Sequence, residues 1–263
     1  MYRPLSLFIG LRYTRAKRRN QFISFVSLIS LLGMILGVVA LVVVMSVMNG
    51  FESELRNRIL AVVPHAYVDA DNQRMSGWQP LRERLAQEEH VVAAAPYIDG
   101  SIMLSRPGML RPATLTAVDP HLEAQVSLVS QHMLTGNFNA LESGKYHIIV
   151  GNILANYLGL YVGDEVSVIL PRVTVTPFGV FPRVKRFKVS GIFQVGADLD
   201  SNTAFIHLAD GQKLFQLGDR VKGLRLKFDD LLMAPEIVST LQAKGLVTDY
   251  TSKTWLQTQG NFI

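Results

Sequence analysis

Phe22–Met48, FISFVSLISLLGMILGVVALVVVMSVM, decides how the rest of the chain is read, because it runs 27 residues without a charged side chain. As an α-helix rising roughly 1.5 Å per residue it reaches about 40 Å, more than the roughly 30 Å of bilayer hydrocarbon. A helix satisfies its own backbone hydrogen bonds in lipid, so a single span is predicted here rather than a buried helix of a soluble domain. Residues 1–21 hold Arg3, Arg12, Arg15, Lys17, Arg18 and Arg19 and no Asp or Glu. Such an excess marks a cytoplasmic flank, so the chain from residue 50 onward is expected outside. Asn49-Gly50-Phe51-Glu52 follows the apolar run and is not a small-residue cleavage site, which makes the segment an uncleaved anchor.

Charge supports this division. The whole chain has 26 Lys+Arg against 21 Asp+Glu, and removing the six basic residues of the first 21 leaves 20 against 21. The basic excess therefore belongs to the cytoplasmic arm and suits anionic lipid headgroups, with no nucleic acid as partner. Cysteine is absent, which excludes disulfides and thiolate metal sites. Pro4–Tyr13 reads as a short interfacial helix on the inner leaflet. Within the span, Gly33 and Gly37 form a GxxxG pair that lets another helix approach closely. Glu52–Val63 keeps helical spacing and continues the span outward as a stalk that Pro64 stops.

The outer region alternates short strands and helices. Strands are expected at His65–Ala70, Ser101–Leu104, Pro112–Val118, Tyr146–Val150, Glu165–Leu170, Val184–Phe193, Thr203–His207, Gly223–Phe228 and Leu246–Tyr250. Helices are expected at Trp78–Glu88, Asn152–Leu158, Ala209–Leu217 and Ala234–Lys244, with Gly159, Gly218 and Gly245 past their ends. The first and last thirds pair as strand–helix–strand halves of one domain, and about 115–200 forms a β-rich insertion. The layout is 1–21 cytoplasmic arm, 22–48 span, 49–63 stalk and 64–250 outer α+β domain, with 251–263 as a linker.

One stretch breaks the globular pattern: Arg172-Val173-Thr174-Val175-Thr176-Pro177-Phe178-Gly179-Val180-Phe181-Pro182. Pro177, Gly179 and Pro182 disfavour a regular central strand. An apolar finger within 171–188, flanked by Arg172, Arg183, Lys185, Arg186 and Lys188, either meets a protein groove or lipid surface or folds back as an ordinary hairpin loop. No catalytic constellation accompanies it. His65, His90, His121, His132, His147 and His207 lack metal-ligand spacing, and neither a GxSxG elbow nor a phosphate loop occurs. Asp198, Asp200, Asp229 and Asp230 read as turn and cap residues.

YRPLSLFIGLRY at Tyr2–Tyr13, SVMNGFE at Ser46–Glu52, NRILAVVPH at Asn57–His65 and GKYHIIVG at Gly144–Gly151 together resemble the LolC/LolE family, over essentially all 263 residues. TPFG at Thr176–Gly179 is closer to the LolC branch and NRILAVVPH equally to LolE. The paralogue stays open, as does a merged subunit. The resemblance implies a MacB-like architecture: four membrane helices in the full-length inner-membrane protein, with a two-subdomain periplasmic domain after the first. This chain would then be an N-terminal portion, ending where Trp255–Ile263 leads toward a second span.

It further implies a non-catalytic membrane subunit of a lipoprotein-releasing ABC transporter. ATP and Mg would be handled by a separate LolD-like ATPase, with no cofactor on this chain. A LolE/LolC-like second membrane subunit or a homodimer, triacylated lipoproteins and a LolA-like periplasmic carrier are the implied partners. The family's carrier-capturing hook maps onto Arg172–Pro182. Its supporting pad falls on Ser167, Val184 and Lys185, with Arg183 and Arg186 beside them. Its lipid cavity maps onto Val44, Met48 and Phe51. Two further readings stand beside this one: an FtsX-like regulatory permease that activates cell-wall hydrolases, and a single-span periplasmic interaction module.

Overall fold

The computed structural model describes the backbone of residues 21–60, 64–176, 179–255 and 257. Two compact units divide the chain, Met1–Leu55 and Arg56–Ile263. The expected interfacial helix Pro4–Tyr13 lies outside the described residues, as does the end of the stalk at 61–63.

In the first unit, α1 (Gln21–Leu60) is one helix of 40 residues. Its stretch Phe25–Gly50 is long and apolar enough to cross a membrane, and none of it is buried. Apolar side chains point in every direction, as lipid on all sides requires. The predicted span and stalk are therefore one continuous helix, whose sequence turns from uncharged to charged at Glu52.

Among its described residues the second unit is built on ten strands. In chain order the elements are β1 (Ala66–Asp69), α2 (Trp78–Leu85), β2 (Val91–Arg106), β3 (Met109–Val118), α3 (Pro120–Val126), β4 (Met133–Gly136) and β5 (His147–Gly151). They continue with α4 (Asn152–Leu158), β6 (Glu165–Thr176), β7 (Gly179–Phe193), α5 (Ala197–Asn202), β8 (Thr203–His207), α6 (Leu208–Phe215), β9 (Gly223–Phe228), α7 (Ala234–Ala243) and β10 (Thr251–Thr254).

Pairing closes six of these strands into a ring, β2-β3-β8-β5-β7-β6 and back to β2. Alternation explains what fills it, since Leu104, Leu115, Ile148, Val166, Val168, Phe187 and Ile206 are all at most 1% exposed and join one apolar cluster. Leu154, Ala155 and Leu158 of α4 join the same cluster. Gly211 lets α6 lie against β3, because a Cβ there would sit 2.1 Å from that of Ala117. Gly159 ends α4 at φ +60°, a conformation that suits glycine.

The first half of β2 leaves the ring and pairs with β9, giving an outer sheet in the order β10-β1-β9-β2. One face of it packs Ala66, Val68, Leu224 and Leu226 under Leu81 and Leu85 of α2 and Ile237 and Leu241 of α7. Two strand–helix–strand units, β1-α2-β2 and β9-α7-β10, thus flank the ring.

Several boundaries differ from the expectations above. Leu246–Tyr250 is turn rather than strand, because Gly245 (φ +74°) reverses the chain and drops Val247 into the core. The strand instead lies at Thr251–Thr254, within the expected linker, where Ala66↔Thr254 through Asp69↔Thr251 pair. α2 stops at Leu85 rather than Glu88, capped by the Ala86 N–H donating to the carbonyl of Arg82. α6 ends with Gln216 in the left-handed region rather than at Gly218.

Candidate functional site

The finger is a long antiparallel ribbon. β6 and β7 pair from Glu165↔Lys188 to Thr176↔Gly179, with one register shift between Leu170 and Val173. The last β6 residue paired to β2 is Ile169, and the first β7 residue paired to β5 is Lys188. Four further pairs, Val173↔Pro182 through Thr176↔Gly179, carry the ribbon past its neighbours as a two-stranded arm. Strand pairing thus continues through Pro182 and Gly179, which had argued against a central strand: Pro182 pairs with Val173 and Gly179 with Thr176, on an arm whose open edges need not donate on both sides. Pro177 and Phe178 lie outside the described residues, as do the side chains of Arg172, Val173, Thr174, Val175, Thr176, Gly179, Val180, Phe181 and Pro182.

At the base of the arm the register sorts the expected pad onto two faces. Leu170↔Arg183 and Val168↔Lys185 share the side of the buried Val166 and Phe187. Arg183 Nη1 donates to the Leu214 carbonyl at 2.9 Å, and Lys185 Nζ lies 3.8 Å over the Tyr146 ring. Both cations are therefore tied to the ring's inward side. Ser167, Val184 and Arg186 lie on the opposite, outward face, where Ser167↔Arg186 and Ile169↔Val184 are direct neighbours. Val184 is 51% exposed there. The structure thus brings three of the five pad positions together and turns two away. Ile169, absent from the expected site, belongs to this face. Its signal was the alternation of Val166, Val168 and Leu170 inward with Ser167 and Ile169 outward.

The GKYHIIVG turn has a mechanical cause. Asp210, fully buried in α6, accepts from the N–H of Gly144 at 2.9 Å and of Tyr146 at 3.1 Å. That holds Tyr146 beneath Lys185 and edge-on to Phe187. Asp200 likewise caps its loop, accepting from Val195 and Gly196.

On α1, positions 33, 37, 44 and 48 fall within about 60° of one another at 100° per residue, one stripe along the helix. Gly33 and Gly37 have nothing within 4 Å of where a Cβ would stand. Val44 and Met48 are 64% and 68% exposed. The Phe51 side chain lies outside the described residues.

A second region of concentrated chemistry is the other face of the outer sheet. A cavity of about 370 Å³ there is bounded by Tyr67, Tyr97, Asp69, Glu123, Lys222 and Arg225 among others. Arg225 Nη1 donates to Glu123 Oε1 at 2.8 Å, and its guanidinium lies 4.7 Å from the Tyr97 ring centroid. Tyr97 donates its hydroxyl to Asp69, and Lys222 pairs with Asp99. Burial pushes the Glu123 carboxyl up, with Arg225 opposing it, and raises Asp69 and the Tyr97 hydroxyl as well. The Glu123 Oε2 and Arg225 Nε atoms are sealed from solvent and have no hydrogen-bond partner among the described residues. The pair is a structural joint between α3 and β9. Among the described residues no three His, Asp or Glu side chains gather as metal ligands.

Residues 27–244 match the family model of the MacB-like periplasmic core domain. The chain is 40% identical over 256 residues to the lipoprotein-releasing system transmembrane protein LolC of Xylella fastidiosa (strain Temecula1), covering 95% of this chain and 62% of that protein. It is 40% identical over 238 residues to the LolC of Neisseria meningitidis serogroup B, covering 90% and 57%. It is 28% identical over 255 residues to the LolE of Haemophilus influenzae, covering 95% and 60%. The chain spans less than two thirds of the length of each of these relatives. The resemblance drawn from the sequence motifs is thereby borne out, together with the apolar helix and MacB-like α+β domain it implied. The chain belongs to the family of proteins built on a MacB-like periplasmic core domain.

Proposed function

We propose that this chain is part of a membrane subunit that extracts lipoproteins from the bacterial inner membrane and passes them to a soluble periplasmic carrier. The observation that carries the reading is the two-stranded arm continuing β6 and β7 beyond the ring, in a chain 40% identical to a lipoprotein-releasing subunit. A ribbon anchored on a closed, apolar-filled ring is held in place at its base, so its end is presented at low entropic cost to a partner. The arm at Arg172–Pro182 receives the carrier, and the outward face at Ser167, Val184 and Arg186 supports it.

The exposed stripe of α1 then has two uses. Gly33 and Gly37 admit a neighbouring membrane helix, and Val44 and Met48 meet acyl chains, where the flexible thioether of Met adapts to varied apolar shapes. The chain itself does no chemistry, and a separate ATPase subunit hydrolyses ATP. A second membrane subunit of the same kind completes the path. Closure of the ATPase moves α1, and the outer domain transmits that motion to the waiting carrier.

The test is retention of the carrier by the full-length assembly in detergent. Removing the arm between Val173 and Phe181 is expected to release the carrier while leaving membrane insertion intact. Carrier retention at the unmodified level would sink the reading.

A further inference from the structure

The second face of the outer sheet does not end at β2. Register carries it onto the outside of the ring. Lys253 on β10 faces Tyr67 on β1, and Tyr67 faces Arg225 on β9. Tyr97 on β2 stands opposite Gly223, two residues before Arg225. Asp99 stands opposite Thr116 on β3, which faces Phe205 on β8. These side chains share one face, opposite Val68, Leu224, Leu115 and Ile206, all 0% exposed. Glu123 of α3 and Asn202 of α5 also line it, which makes the strip a trough rather than a flat sheet face. Six strands about 4.8 Å apart give it a length of about 24 Å. The cavity of about 370 Å³ lies along this trough, and a second groove of about 810 Å³ shares Asp99, Thr114 and Lys222 with it. The sealed Arg225–Glu123 joint is its floor, while Asn202 and Lys253 are exposed at its rim.

We infer that this trough binds an extended stretch of polypeptide, the cargo lipoprotein's own chain next to its lipid-modified end. The inference rests on the reading of the protein as a lipoprotein-releasing subunit. Length is the first argument: about 24 Å accommodates about seven residues of extended chain at roughly 3.3 Å each. Charge is the second. Asp69, Asp99 and Glu123 are balanced by Lys222, Arg225 and Lys253, so the cavity is formally neutral. An anionic ligand would need an excess of cations, and an acyl chain would need walls free of charge. Thr114, Thr116 and Asn202 each carry both a donor and an acceptor, which suits a backbone offering one N–H and one C=O per residue. The two ends select which polypeptide. Pro64, four residues past the end of α1, lines the cavity, and Pro171 at the root of the arm lines the groove. A trough between these points suits a cargo whose acyl end starts in the membrane and whose destination is the carrier at the arm.

The experiment uses the full-length assembly in detergent, loaded with a purified triacylated lipoprotein whose polar N-terminal stretch is unfolded. A photoreactive side chain is placed at Lys253, at Thr114, and at Leu232, which is 58% exposed and lines neither cavity. Adducts are expected from Lys253 and Thr114 and not from Leu232, and peptide mapping should place them in the stretch adjoining the lipid-modified residue. Separately, Thr114→Trp fills the junction of cavity and groove. It should slow transfer of the lipoprotein to the carrier about tenfold, the worth of one or two hydrogen bonds lost with the segment. Lipoprotein co-purification and carrier retention should stay at the parent level.

With lipoprotein and carrier both retained, absence of an adduct at either trough position would overturn the inference and leave the proposed function standing. Adducts mapped to the folded part of the lipoprotein, to the carrier or to lipid would overturn it equally, as would an equal yield at Leu232. Transfer at the parent rate in Thr114→Trp also contradicts it. An assembly that retains neither lipoprotein nor carrier would remove the transporter reading and this inference with it.

Discussion

The ring and the outer sheet share β2, and each buries one face with aliphatic side chains, but they treat their second faces in opposite ways. The ring's outward face at Leu110, Met103, Ile169 and Val184 is apolar and open, with one cation. The outer sheet's second face is the reverse: polar, aromatic and covered, with Arg225 only 9% exposed and Glu123 1%. An exposed apolar face stabilises nothing until a partner covers it. A buried ion pair stabilises little by itself, yet is costly to break. The domain thus leaves one second face exposed and seals the other over a charged joint between α3 and β9.

The largest effect is expected at the joint. Arg225→Met leaves Glu123 buried without its cation and should cost about 3–5 kcal/mol, while Glu123→Leu with Arg225→Met should recover most of it. Denaturant unfolding of the detergent-solubilised protein measures both. A neutral Arg225→Met would show the joint to be solvated and would break the contrast.

The ring comes next. Leu104→Ala removes a fully buried side chain from the strand that belongs to both regions and should cost about 2–5 kcal/mol. The same variant in a collapsible site would lose far less, so the value reads how rigidly the arm is anchored.

A pH dependence sharpens the comparison further. His65 Nδ1 accepts from the Phe228 N–H at 3.1 Å, and burial holds this imidazole below its ordinary range. The unfolded chain therefore binds the proton more readily. The contribution to stability is complete above about pH 6.5 and is lost as pH falls through the lowered folded value. Unfolding followed from pH 7.5 to 5 should show His65→Gln less pH-sensitive than the parent, and equal slopes would contradict the assignment. The smallest effect is expected at the surface. Lys244 pairs with Glu88 at half exposure, so Lys244→Ala should change stability by under about 1 kcal/mol.

Much of this was legible in the sequence where a local signal existed. The 27-residue apolar run announces α1, and Gly159 announces the end of α4. Val91–Gly100 was not read as strand because its alanine run and Pro96 have weak β propensity, although β9 and the ring fix it from both ends. Asp119-Pro120 carried a start signal for α3 that went unread: the Asp119 carboxylate accepts from the N–H of His121 and Leu122. The arm was recognised as unusual from its composition, but its strands were expected only at Glu165–Leu170 and Val184–Phe193, because Pro177, Gly179 and Pro182 disfavour a regular central strand, whereas an open edge tolerates Pro182.

What remained hidden is non-local. The β2–β6 pairing that closes the ring joins residues more than 60 apart and leaves no periodic mark. Arg225 alternates with Leu224 and Leu226, just as a solvent-facing cation on a half-buried strand would, and only Glu123 on α3 makes it a buried one. The division of the pad into two faces likewise depends on register, which strand propensities do not give.

The account rests on the arm as the place where the carrier is held. Carrier affinity of the full-length assembly carrying Phe178→Asp, measured beside the parent at equal expression and equal membrane insertion, tests it most directly. A loss of about a hundredfold or more is predicted, since the substitution removes a large apolar side chain from the stretch proposed to hold the carrier and adds a charge. Affinity within a factor of two of the parent would contradict it.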